Sequence, residues 1–153
     1  MKLTYSITIK ADINTVFSYL EDNKKKASWL FNVLEINNLP KEKFENGTPF
    51  VMKVKESFGT KDYKGYTRIN EKPNYQHISM KIDPKIELEN YYFLKEVETN
   101  KTQLNYIAVY KLQGFKLKAT MLFNYPFFYA PFIKSSVISQ LKKLKKLAES
   151  DKD

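Results

Sequence analysis

The stretch "ITIKADINTVFSYLEDNKKKASWL", Ile7–Leu30, changes its hydrophobic period partway through. Up to Ile9 the period is two. Leu3, Tyr5, Ile7 and Ile9 alternate with Lys2, Thr4, Ser6 and Thr8, as in a strand with one buried face. From Asp12 the period lengthens. Ile13, Val16, Phe17 and Leu20 recur at helical spacing behind a capping residue, Asp12 or Asn14. A second short helix over "NKKKASWL" is predicted to end near Trp29. A strand followed at once by two short helices is the feature from which the remaining segments are ordered.

Beyond Trp29 the strand signals resume. "FNVLEINNL" is one strand, and in "GTPFVMKVKESFG" Phe50, Met52 and Val54 alternate with Val51, Lys53 and Lys55. "TKDYKGYTRINEKP" is stopped by Pro73. In "YQHISMKID" Ile78, Met80 and Ile82 share one side with Gln76, while Tyr75, His77, Ser79 and Lys81 take the other. "KIELENYYFLKEVE" and "TQLNYIAVYKLQG" read as a hairpin across "TNKT". Within it Tyr91-Tyr92-Phe93-Leu94 is apolar on both faces, which predicts a bulge or a second contact surface. From about Lys116 the helical period returns and lasts to Glu149. Connections of hairpin length imply an antiparallel sheet. The segments alternate too tightly for two domains, so residues 1–150 are expected to form one.

Composition narrows the function classes. The chain has 153 residues, 42% of them hydrophobic, which suits a folded core. Cysteine is absent, so disulfides and thiolate metal sites are excluded, and a single His argues against a His-rich metal cluster or a His-based triad. The net charge of +9 is almost all Lys, with Arg68 as the one Arg. Specific readers of nucleic acid lean on Arg, so no specific nucleic-acid partner is expected. The N-terminus lacks the pattern of a signal peptide, and no stretch approaches a bilayer span, so stable membrane insertion is not expected and a cytoplasmic location is. There is no nucleotide-, metal- or hydrolase-type motif, so neither a cofactor nor a metal is predicted.

Ile7, Ile9 and Ala11, then Val16, Phe17, Tyr19 and Leu20, then Asp22 and Trp29 resemble the opening of the START-like (SRPBCC) superfamily. That superfamily includes Bet v 1-type allergens, polyketide cyclases and lipid-transfer domains. "NGTPF", Asn46–Phe50, resembles the Gly that starts its third strand; "TQLNYIAVY" and "LKKLKKLAE" resemble its last strand and last helix. The resemblance spreads over the whole chain and carries no catalytic signature. It implies an α+β helix-grip fold: a curved seven-stranded antiparallel sheet wrapped around a long C-terminal helix, with two short helices after strand 1. It also implies a cavity between sheet and helix for a hydrophobic or amphipathic small molecule.

The last helix bears on that cavity. Val137, Leu141, Leu144 and Ala148 follow Ile133 on one face, with Lys134, Lys142, Lys143, Lys145 and Lys146 mainly off it. Extended backwards, the face passes Ala130, Phe127 and Phe123, so its sealed half gives way to an aromatic half, while Pro126 and Pro131 are expected to kink or break the helix. The expected cavity lining is Trp29, Phe50, Met52, Glu56, Met80, Tyr92, Tyr106, Tyr110, Phe123 and Phe127. Trp29 reads either as a plug between the two short helices or as a wall of the cavity. Glu56 shares parity with Phe50, Met52 and Val54, so it faces inward unless the strand bends near Phe58-Gly59. Asn90 is open in the same way. His77 alternates to the outer face. With no inward His and no clear acid pair, non-catalytic binding of a lipid-like or aromatic molecule leads. A cyclase or dehydratase on the same cavity, or a co-chaperone-like interaction module, stands as the alternative.

Overall fold

The structure, a computed structural model, describes residues 1–41, 46–112 and 129–151, leaving aside the side chains of residues 83, 112 and 129–131. Strand β1 (Lys2–Ile9) is followed by α1 (Ile13–Glu21) and α2 (Asn23–Trp29). Six strands come next: β2 (Val33–Asn38), β3 (Thr48–Glu56), β4 (Gly59–Glu71), β5 (Tyr75–Asp83), β6 (Ile86–Glu98) and β7 (Lys101–Leu112). Helix α3 (Tyr129–Ser150) closes the chain. All strand pairs are antiparallel, in the order β1-β7-β6-β5-β4-β3-β2. This is the helix-grip α+β architecture.

The turn from α1 into α2 rests on two side chains. Asp12 caps α1, its Oδ1 accepting from the amides of Asn14 at 2.9 Å and Thr15 at 3.1 Å. Asp22 ends α1 and caps α2, accepting from the Lys25 amide at 2.8 Å. One residue thus separates the helices, and the corner is sharp. Trp29 locks it: its indole Nε1 donates to the Tyr19 carbonyl at 2.8 Å, satisfying one of the acceptors that a helix C-terminus leaves unpaired.

The sheet curves because its ladder is interrupted. The register shifts between Val33 and Glu35, Thr67 and Ile69, Lys81 and Asp83, and Glu96 and Glu98. Each interruption bends its strand and adds twist. No interruption falls within Tyr91–Leu94, so of the two expectations there the bulge is not what occurs. Instead both faces are used: Tyr92 and Leu94 are buried under the helices, while Tyr91 and Phe93 stack on His77 and Tyr75 outside. Gly47 opens β3 with φ of 113°, and a Cβ there would lie 2.5 Å from the Thr67 carbonyl oxygen, so only glycine lets β3 enter against β4.

The core lies where α3, α1 and β1 meet. Ile9, Val16, Phe17, Leu20 and Leu104 pack there with Leu141, Leu144 and Ala148. The backbone neighbours of α3 are β1, α1 and α2 rather than the middle strands. Its C-terminal end is tied down: Glu149 accepts from the Lys10 amide at 2.8 Å, and Asp151 accepts from Lys25 Nζ at 2.7 Å and from the Tyr19 hydroxyl at 3.0 Å. Pro131 lies in the first turn of α3, where a missing amide donor breaks no helical bond. Pro126, Phe123 and Phe127 lie outside the described residues, as does the side chain of Ala130. No helix among the described residues is long and apolar enough to cross a membrane.

Leu144 is fully buried in the sealed end, whereas Phe132 is 75% exposed one turn into the same helix. Leu144→Ala is expected to cost about 2–5 kcal/mol in urea unfolding. Phe132→Ala should stay within about 0.5 kcal/mol. Equal losses at the two sites would contradict this division of α3.

Candidate functional site

Between the middle of the sheet and α3 lies a cavity of about 260 Å³. Strand β3 contributes Phe50, Met52 and Val54; β5 contributes Ile78, Met80 and Ile82; β6 contributes Leu88, Asn90 and Tyr92; β7 contributes Tyr106 and Tyr110. Helix α3 closes it with Val137, Gln140 and Leu141, and α2 with Lys26 and Trp29. Leu141 therefore marks the border: it belongs to the sealed core and also faces the cavity. Phe31 lines the cavity and is 46% exposed, so the cavity reaches solvent beside the connection from α2 to β2.

The walls follow from strand parity. Phe50 and Met80 stand on either side of Gly65 in the ladder, and a Cβ on Gly65 would run into the Phe50 ring and the Met80 side chain. The missing side chain lets these two lie flat on the sheet and leaves room above them. Across the cavity, Trp29 meets Tyr92 edge-on, with centroids 6.4 Å apart and planes at 83°. Tyr92 leans on Tyr106 at 5.1 Å. The Tyr106 hydroxyl donates to Asn90 Oδ1 at 2.5 Å, so Asn90 points inward and is pinned by its oxygen. Burial pushes the phenols of Tyr92, Tyr106 and Tyr110 upward, so all three stay protonated near neutral pH. They can donate hydrogen bonds there but cannot act as bases.

Of the residues expected to line a cavity, Trp29, Phe50, Met52, Met80, Tyr92, Tyr106 and Tyr110 do line this one. Trp29 fills both of its candidate roles, as plug and wall. Glu56 does not line it. Its parity is unbroken, since β3 and β4 stay in register down to the Glu56–Gly59 pair. The strand simply runs past the covered part of the sheet, and Glu56 is exposed at its end. There the carboxylate accepts from the Tyr63 hydroxyl, a bond that together with burial holds that phenol up at about 12. His77 faces outward, stacked on Tyr91 at 4.4 Å and bonded to Glu89, which also accepts from Lys111 Nζ at 2.9 Å. Phe123 and Phe127 fall outside the described residues.

The sequence reading passed over Lys26. It is 6% exposed, and burial drives its pKa down from 10.5 to about 8. The run Lys24-Lys25-Lys26 splits three ways: Lys24 is exposed, Lys25 pairs with Asp151, and Lys26 turns inward. The available signal was helical spacing, because Lys26 precedes Trp29 by one turn and shares its face.

The sequence matches no family model and no curated protein. Fold and cavity together define a helix-grip architecture, and similar solved structures share that fold. The Zhui aromatase/cyclase from Streptomyces sp. R1128 aligns over 97% of this chain and 93% of its own, with a TM-score of 0.72 and 10% identity. Ara h 8.0201 aligns over 99% of both chains, with a TM-score of 0.74 and 10% identity. A START superfamily protein from Mycobacterium smegmatis aligns over 97% and 94%, with a TM-score of 0.66 and 11% identity. At such identities the likeness establishes the fold and transfers no activity.

Two outcomes follow from the geometry. The unfolded chain keeps Lys26 protonated up to about pH 10.5 and the folded chain only to about pH 8, so the charged side chain opposes folding fully below pH 8. That opposition fades as pH rises from about 8 to 10.5. Lys26→Met should therefore be more stable than the wild type by about 3 kcal/mol at pH 7, with the advantage shrinking towards pH 10.5. Urea unfolding at both pH values measures it, and a destabilised or pH-independent variant would contradict it. Second, Gly65→Ala should cost about 1–3 kcal/mol by the same measurement, as Phe50 and Met80 are forced up into the cavity.

Proposed function

We propose that this chain binds a hydrophobic or amphipathic small molecule, lipid-like or aromatic, in the cavity between the sheet and α3. The observation that carries the reading is the cavity itself, about 260 Å³ with walls mainly of aliphatic and aromatic side chains. An apolar cavity of about 150 Å³ is enough for a benzene ring, so this one has room for a fused bicycle or a medium-length chain. Apolar walls with a few convergent polar groups are the usual form of a small-molecule site. Among the described lining residues the polar groups are Lys26, Asn90, Gln140 and tyrosine hydroxyls, with no carboxylate. The similar structures include an aromatase/cyclase and a START superfamily protein, which agrees with a cavity that holds such molecules.

A cyclase-type enzyme is the second reading, and one observation favours it. Lys26, with its pKa near 8, is partly neutral under mildly basic conditions and could take a proton from a bound substrate. A neutral tyrosine could return one. Binding without turnover remains the leading reading, because the tyrosines are held protonated and no acid–base pair is bonded together among the described residues of the cavity.

The test uses the chain's one Trp. Native mass spectrometry of the freshly purified protein should reveal a bound small molecule, to be identified after extraction. Adding it back to stripped protein should shift or quench Trp29 emission saturably, in a one-to-one ratio. Recovery of the compound unchanged supports binding, and its conversion supports the enzyme. If no compound co-purifies and environment-sensitive apolar dyes leave Trp29 emission unaltered, the cavity has no such role.

A further inference from the structure

Lys26 is the one charged side chain among the described residues that line the cavity. It is more than nine-tenths buried and makes no hydrogen bond or ion pair with any described residue. Its acidic neighbours in sequence are engaged elsewhere. Glu21 pairs with Lys72 at 2.6 Å, and Asp22 caps α2 through the Lys25 amide. The charges of Glu21 and Asp22 offset part of the burial of Lys26 without bonding to it, and burial still outweighs them. A buried ammonium with no bonded counter-ion is costly, and a protein that keeps one in a cavity is suited to a ligand that brings a bonded negative charge.

The other polar groups point to the same chemistry. The hydroxyls of Tyr92 and Tyr110 make no hydrogen bond to any described residue, and each has a proton to donate. Asn90 spends its oxygen on Tyr106, which leaves its NH2 group as the part still able to bond. Lys26, Asn90, Tyr92 and Tyr110 thus offer donors, and a group that only accepts matches them. One cation balances one negative charge. A phosphate monoester, with close to two charges, would leave the site negative.

We propose that the cavity takes an amphipathic monocarboxylate, with the carboxylate on the Lys26 ammonium and the apolar body against the aromatic wall. This rests on the ligand-binding reading above and narrows it to acids. The same pairing would offset the burial that holds the ammonium's pKa near 8.

Two matched probe pairs test it, one aliphatic and one aromatic: decanoate with decan-1-ol, and 2-naphthoate with 2-naphthalenemethanol. Binding is measured calorimetrically at pH 7 to the wild-type chain, to Lys26→Met and to Lys26→Gln. For at least one pair, the wild type should bind the acid about tenfold to a hundredfold more tightly than the alcohol, the range expected of a hydrogen bond to a charged group. In the two variants the acid should lose about tenfold or more and the alcohol clearly less, so that the preference for the acid disappears. Retained alcohol binding shows that the variant's cavity is intact, and either folded variant suffices. If the wild type binds acid and alcohol alike, or a variant keeps the acid preference, the anchor is wrong and the cavity reading stands. If no probe of either pair binds the wild type, both readings fall.

Discussion

The sheet has one apolar face to keep from water, and that requirement governs the rest of the structure. Seven strands about 4.8 Å apart make a surface roughly 29 Å across before it curls. A helix with its side chains is about 10–12 Å wide. One helix cannot fill such a trough. The chain closes the β1 side by packing α1 and the C-terminal half of α3 together, through Phe17, Leu20, Leu144 and Ala148. It closes the β2 side with α2, whose neighbours are β2 and α3. Over the middle strands, room is left under α3. The cavity follows from that mismatch of widths and needs no separate device.

Much of the fold was legible in the sequence. The switch from alternation at Ile9 to helical spacing at Ile13, the capping aspartate and the hairpin spacing of the later strands are local features, and each appears where the periodicity puts it. Parity also placed most of the cavity walls, because a strand residue's face is set by counting. Counting cannot tell where the cover stops. Glu56 keeps its face and still ends in solvent, since β3 extends beyond the helices. Lys26 fails in the opposite direction: composition says that lysines are solvated, and the tertiary placement of α2 overrides it. Asn90 could be resolved only once its partner, Tyr106 on the neighbouring strand, was placed.

Polar groups within the fold are treated in two ways. On the outer face, His77, Glu89 and Lys111 satisfy one another, and Ser79 bonds Glu87 at 3.1 Å. The same holds at the foot of α3, where Lys25, Tyr19 and Asp151 form a closed set. Those contacts hold neighbouring elements together and leave little over for a partner. In the cavity the pattern is reversed. Tyr106 and Asn90 complete one bond, while Lys26 and the hydroxyls of Tyr92 and Tyr110 have no hydrogen-bond partner among the described residues.

A polar group buried for stability is normally paired, because an unpaired one costs more than an apolar residue of the same shape. Met or Leu would fill the place of Lys26 against Trp29 and α3 at no electrostatic cost. The lysine instead carries a charge that burial opposes, on a helix fixed by a capping aspartate before it and an indole hydrogen bond at its end. The cap and the indole bond fix α2 with Lys26 turned inward, so the folded chain bears the cost of its burial. Proteins commonly give up stability at binding sites for this reason, since a group satisfied only by the ligand contributes to affinity what it takes from folding. Under the ligand-binding proposal, the stability of the empty chain and its selectivity for an acid are set against each other at one side chain.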